Sequence, residues 1–181
     1  GMFTSKLIDR FPYHLKAEDI DLENNNIREH FITGVFTLSQ FRKVKSIDNL
    51  YQFHDLNEYL FTTYNQNIWN KMGKIVTCVE EKRKSNVLID YYFQLLKLFD
   101  KLPNTLSHIN TQRNMFKYIK NDLTPKEKNQ FIKLLNEFGS NSIPLSSIKN
   151  TLRDWAIHYN NKYLLSQSYL NPFPAELMDI K

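Results

Sequence analysis

TPKEKNQFIKLLNEFG, residues 124–139, is the stretch whose reading decides the fold. Thr124 suits a helix N-cap, Pro125 suits the first turn, and Glu127 stands three residues on to close a capping box. Gly139 marks the end. The next segment, IPLSSIKNTLRDWAIHY (143–159), places Leu145, Ile148, Leu152, Trp155 and Tyr159 on one helical face. Working toward the N-terminus, NVLIDYYFQLLKLFDKL (86–102) is apolar around much of its circumference and reads as the central, most buried helix, stopped by Pro103. SIDNLYQFHDLNEYLFTTY (46–64) brings together Leu50, Phe53, Leu56, Leu60 and Tyr64. NNNIREHFITGVFTLSQF (24–41) has Asn caps, then Ile27, Phe31, Leu38 and Phe41 on one face with Gly34 among them. No stretch alternates as a strand does. The expectation is an all-α, bundle-like single domain of about six or seven helices. Residues 1–24 read as an irregular arm, with Phe11–Tyr13 as a turn or docking point, and 25–181 as the helical domain. The chain closes on an extended strap, SYLNPFPAELMDIK, in which Pro172 and Pro174 forbid a helix.

A length of 181 residues suits one domain, or one domain plus an arm. Aromatics at 14% are enough for a proper core. Four glycines leave little room for tight hairpins or glycine-rich phosphate loops. The single cysteine, Cys78, rules out a disulfide framework and any cysteine-only metal site within the chain, and fits a reducing cytoplasm. Gly1 before Met2 reads as a tag remnant, and neither a signal peptide nor a membrane span is visible.

Net charge is +5, yet residues 1–30 are net acidic. The cations gather later, and a polyanionic partner and a lysine-rich composition without function explain the total equally well. Arg113, Lys117 and Lys120 fall on one helical stripe, and Lys149 and Arg153 flank the apolar face of the Trp155 helix. Such stems have the rigid backing that phosphate contacts require, although a plain solvated face has the same pattern. Tyr118 beside the stripe suits base stacking or core packing. Among His14, His30, His54, His108 and His158 no pair has the i, i+4 spacing of a helical metal site. His54 with Glu58 one turn on suggests an oriented acid–base pair or, more plainly, a half-buried imidazole meeting a surface carboxylate. Cys78, among apolar residues and followed by acids, reads as a core filler.

The segment from Leu50 to Met178 resembles the YbgA-like domain, a bacterial family of unknown function. The similarity is carried by I-P-L-x-x-x-K with an Arg four residues later, and by Y-L-x-x-Q-x-Y-L-N-P-x-P-x-E-L-M. These fall on Ile143, Pro144, Leu145, Lys149 and Arg153, then on Tyr163, Leu164, Gln167, Tyr169, Leu170, Asn171, Pro172, Pro174, Glu176, Leu177 and Met178. Looser matches are Phe53–His54 with Tyr59–Leu60, Met72–Val76, His108–Asn110 and Tyr118–Lys120. The chain departs from the family pattern at Glu58, Tyr64, Asn114 and Lys117, where the family carries Lys, His, His and Gly. Residues 24–42 are similar to the join that follows a thiouracil desulfidase domain in fused relatives. The resemblance implies a module that presents tRNA carrying 4-thiouridine. It implies no desulfuration by this chain alone, because the cysteine-bearing partner is missing from it.

The expectation is therefore a non-enzymatic tRNA- or RNA-binding accessory domain of the cytoplasm, working with a separate desulfidase or other tRNA-modifying protein. It needs no cofactor, no metal and no membrane. Lys149, Arg153, Lys120, Lys74, Arg113 and Lys117 are its expected RNA contacts. His54, Asn110, His108, Gln167, Tyr169 and Asn171 are its expected pocket. The alternatives are a protein-interaction module without nucleic-acid binding, and an enzyme using His54 and His108.

Overall fold

The computed structural model describes residues 24–77 and 84–177. The arm before Asn24, with Phe11–Tyr13 and His14, lies outside them, as do Cys78, Lys82, Arg83 and Met178. Nine α-helices follow one another among the described residues, and no strand occurs there. They are α1 (Asn25–Phe41), α2 (Ile47–Leu56), α3 (Glu58–Tyr64), α4 (Gln66–Thr77), α5 (Lys84–Leu98), α6 (Thr105–Phe116), α7 (Pro125–Gly139), α8 (Leu145–His158) and α9 (Lys162–Ser166). A short 3-10 turn, Ala175–Leu177, follows. The all-α expectation holds, with more helices than the apolar spacing suggested.

The extra division has a local cause. The 46–64 segment breaks at Asn57, whose side-chain amide donates to the Phe53 carbonyl at 2.7 Å. That bond offers the backbone an alternative to continuing the helix. The strap then completes the end of α2: Gln167 Nε2 donates to Asp55 O at 3.0 Å and Ser168 N donates to Leu56 O at 2.9 Å. Ser168 Oγ donates to Asn57 Oδ1 at 2.6 Å. Carbonyls left open by a helix end need such partners when they are not in water.

The capping box of α7 forms as the sequence implies: Thr124 N donates to Glu127 Oε2 at 2.7 Å and Glu127 N to Thr124 Oγ1 at 3.3 Å. The exit differs. Gly139 is not left-handed; Asn141 is, at φ 57°, while Ser142 N reaches Glu137 O at 2.8 Å. α8 ends the same way, with Asn160 at φ 52° and Asn161 N on Ala156 O at 2.8 Å. Asparagine tolerates this conformation, so a chain poor in glycine closes both helices with it.

The helices pack around one hydrophobic cluster, with Leu50, Phe61, Met72, Tyr91, Leu95, Met115, Ile148 and Leu152 at its centre. α4 lies along α5, α3 against α6, and α6, α7 and α8 against one another. Two expected faces shift. In α5 the stripe Val87, Tyr91, Leu95 and Leu98 is buried, but Ile89 and Phe93 are 52% and 54% exposed, so this helix is not enclosed all round. In α1, Ile27 and Phe31 are only half-buried, and His30, Thr33 and Thr37 take the inner face with Gly34, Leu38 and Phe41. Thr37 is tolerated there because its hydroxyl donates to Thr33 O at 2.7 Å. No helix among the described residues is long and apolar enough to cross a membrane.

The strap runs back over this bundle. Tyr169, Leu170 and Phe173 are buried, and Phe173 lies 6.3 Å from Phe36 of α1, centroid to centroid. Arg153 of α8 pins it from outside by donating to Asn171 Oδ1 at 3.0 Å.

Candidate functional site

Three histidines each bond a tyrosine hydroxyl through Nδ1. His54 meets Tyr91 at 3.0 Å, His108 meets Tyr169 at 3.0 Å, and His30 meets Tyr64 at 3.1 Å. The last two pairs line one cleft of about 660 Å³ between α1, α3, α6, the start of α8 and the strap. Lys149 projects into the same cleft and forms an ion pair with Glu29 at 3.1 Å. Its ammonium also lies 5.4 Å from the centre of the Tyr169 ring, within cation–π range.

The protons in this cleft can be placed. Gln112 Nε2 donates to the Tyr169 hydroxyl at 3.1 Å. Burial pushes the Tyr169 phenol well above its ordinary value, so it keeps its proton. Burial also lowers His108 to about 4, so the ring is neutral at pH 7. The phenol, already accepting from Gln112, gives its one proton to His108 Nδ1. The His108 proton therefore sits on Nε2, a free donor on a ring that lines the cleft.

A second cleft of about 580 Å³ adjoins the first, and the two share Thr63 and Tyr64. Its walls carry Asn65, Gln66, Asn110, Asn114, Ser107 and the cations Arg113 and Lys117, while the hydroxyls of Thr62 and Thr63 donate to backbone carbonyls of α3 and that of Thr111 bonds Thr63 at 2.6 Å. Its described lining holds no carboxylate. Arg113 and Lys117 are both exposed, and Lys117 Nζ donates to Asn114 Oδ1 at 2.8 Å.

The expected site residues therefore divide. His108, Tyr169 and Lys149 meet in the first cleft; Asn110, Arg113 and Lys117 meet in the second. Lys149 is not an open phosphate contact: its side chain is 12% exposed and held by Glu29. Lys117 and Lys120 do not extend the Arg113 helix as a stripe, because α6 ends at Phe116 and both sit on the turns beyond it. Lys120 and Lys74 are exposed and line neither cleft. Gln167 is spent on the end of α2, and Asn171 and Arg153 clip the strap from outside.

His54 belongs to neither cleft. Its ring stacks on Trp69 at 3.7 Å, and burial lowers it to about 4. Glu58 is not its partner; that carboxylate accepts from Tyr163 at 2.8 Å. The acid–base pairing of His54 with Glu58 is thus replaced by a packed core histidine. Nor do His54 and His108 share a pocket, since only His108 lines the cleft. Among the described residues no group of three His, Cys, Asp or Glu side chains is placed to hold a metal ion.

Two residues of the first cleft escape a sequence reading. Glu29 counts there only as one acid in an acidic stretch, and nothing local ties it to Lys149, 120 positions away. Tyr64 stands as a departure from the family pattern, but its hydroxyl has a defined partner in His30.

Comparison with known proteins gives one result. A family model described as "Protein of unknown function (DUF1722)" matches residues 58–174, which is more than half of the chain. No curated protein and no solved structure matches. The matched span runs from the start of α3 to the strap and carries His108, Lys149 and Tyr169 with it. This chain belongs to the DUF1722 family, the YbgA-like proteins.

Proposed function

We propose that this chain is a non-enzymatic RNA-binding accessory domain. It holds structured RNA such as tRNA for a separate modifying protein. The observation that carries the reading is the second cleft: the side-chain amides of Asn65, Asn110 and Asn114 and the Ser107 hydroxyl around Arg113 and Lys117, with no carboxylate in the described lining. Phosphate oxygens take hydrogen bonds from this set of groups, and an acid in the groove would repel them. The net charge of +5 acts in the same direction at longer range. The choice of tRNA, and of a desulfidase as the partner, rests on the resemblance of residues 24–42 to the join in fused relatives.

The test is tRNA binding across a salt series, for the protein and for the variant Arg113→Glu/Lys117→Glu. Affinity should fall linearly in a log–log plot. The slope should shrink by about 0.7–0.9 for each phosphate contact removed. No binding at low salt overturns the reading.

A protein-docking module is the second reading. Ile89 and Phe93, one turn apart and more than half exposed on α5, favour it. A stoichiometric protein that co-purifies without nucleic acid, and is lost in Ile89→Ser/Phe93→Ser, would replace the RNA reading with this one.

A further inference from the structure

The first cleft has the wrong charge for a phosphate. The one cation in its described lining, Lys149, is already neutralised by Glu29 at 3.1 Å, and Glu29 itself would repel an anion. His108 stays uncharged at neutral pH. What the cleft offers instead is a mixture: a ring N–H on His108, amides on Asn25 and Asn26, a hydroxyl on Ser146, and an accepting carboxylate on Glu29. Its volume of about 660 Å³ lies within the range of small-molecule sites. The matching ligand is neutral, compact, and carries donors and acceptors on one edge. A nucleobase has that description, and each base has a face that stacks on aromatic rings. Of the rings in the cleft wall, Tyr64 is half-buried and offers part of its surface to such a ligand, while Phe138 and Tyr169 are buried behind it.

Its position adds a second argument. The neutral cleft and the cationic one meet at Thr63 and Tyr64. An RNA strand lying in the second cleft would therefore pass beside the first. We propose that the cleft bounded by Lys149, Glu29, His108 and Tyr169 receives one unpaired base of the RNA whose backbone lies along Arg113 and Lys117. The proposal rests on the RNA reading and sharpens it: the domain selects RNA with an unstacked nucleotide over a plain duplex.

The experiment uses two RNA hairpins of equal length and charge. One stem is fully paired; the other carries a single bulged nucleotide. Binding is measured for the protein, for His108→Leu and for Glu29→Gln, with thermal unfolding as a check on folding. The protein should prefer the bulged hairpin by about tenfold or more. Each variant should lose that preference, and His108→Leu, which changes no charge at neutral pH, should keep the same salt slope. Should His108→Leu fail to fold, Glu29→Gln carries the test. Equal affinity for both hairpins overturns the base cleft and leaves the RNA reading standing. A preference that survives in both variants places the base elsewhere and overturns it too. No binding to either hairpin ends the RNA reading, and this inference with it.

Discussion

His54 and His108 share their local chemistry and differ in what surrounds them. Each is hydrogen-bonded through Nδ1 to a tyrosine hydroxyl at 3.0 Å, and burial lowers each to about 4. His54 is then closed over by Trp69, stacked at 3.7 Å, and is only 7% exposed. His108 borders a cleft with Lys149 and Glu29 beside it. A buried, neutral, hydrogen-bonded imidazole is thus no mark of function on its own. The same pair is a core bolt in one place and a wall of an open cleft in the other. What separates them is whether the second ring nitrogen faces packed atoms or open space.

The largest effect should come from breaking the core copy. His54→Ala empties the space against Trp69 and strands the buried Tyr91 hydroxyl, at a cost of about 3 kcal/mol. His108→Ala removes a half-buried ring beside a cleft that water can enter, at a cost of about 1 kcal/mol. Urea unfolding of both variants measures the difference. RNA binding by the folded fraction should follow the opposite order, unchanged in His54→Ala and altered in His108→Ala. Equal unfolding costs would mean that the two histidines are equally enclosed, and the comparison would fail.

A pH series sharpens the comparison further. The free imidazole titrates near 6.5, and both folded ones near 4. Between those values the unfolded chain binds more protons than the folded one, so stability is lost as the pH falls. Each histidine should contribute a slope of about 1.4 kcal/mol per pH unit across that window. His54→Gln keeps a hydrogen-bonding group for Tyr91 and removes one titrating group. Its urea midpoint should therefore depend on pH less steeply, by one proton. An unchanged slope would show that His54 takes up its proton in the folded state as readily as in the unfolded chain.

The fold was legible wherever the signals were local. The capping box at Thr124 and Glu127 and the face of α8 needed no distant partner to be read. The break at Asn57 was hidden because Leu50, Phe53, Leu60 and Tyr64 keep helical spacing across it. What stabilises the break is Gln167 and Ser168, more than 100 positions away. The site was legible in the same uneven way. His108, Lys149 and Tyr169 stand in recurring motifs and do converge. Gln167 and Asn171 stand in the same motif and do not line the cleft, because a motif records constraint and not its cause. Glu29 had no local signal, since its meaning lies in a partner on another helix.

The smallest effect tests how completely the His54 side is filled. Gly73 lies inside α4, and a methyl group added there would stand 3.7 Å from His54 Nε2. That is ordinary van der Waals contact, close enough to touch and too far to collide. The backbone at Gly73 is not in the left-handed region, so no conformational strain opposes a side chain. Alanine in place of glycine inside a helix gains about 0.5–1 kcal/mol from the reduced freedom of the unfolded chain. Gly73→Ala should thus raise the unfolding temperature slightly and leave RNA binding alone. A lower unfolding temperature would mean that the His54 ring sits closer to α4 than its stack on Trp69 implies. The nitrogen assigned to packed surroundings would then be the one under pressure, and the contrast with His108 would rest on strain and not on enclosure.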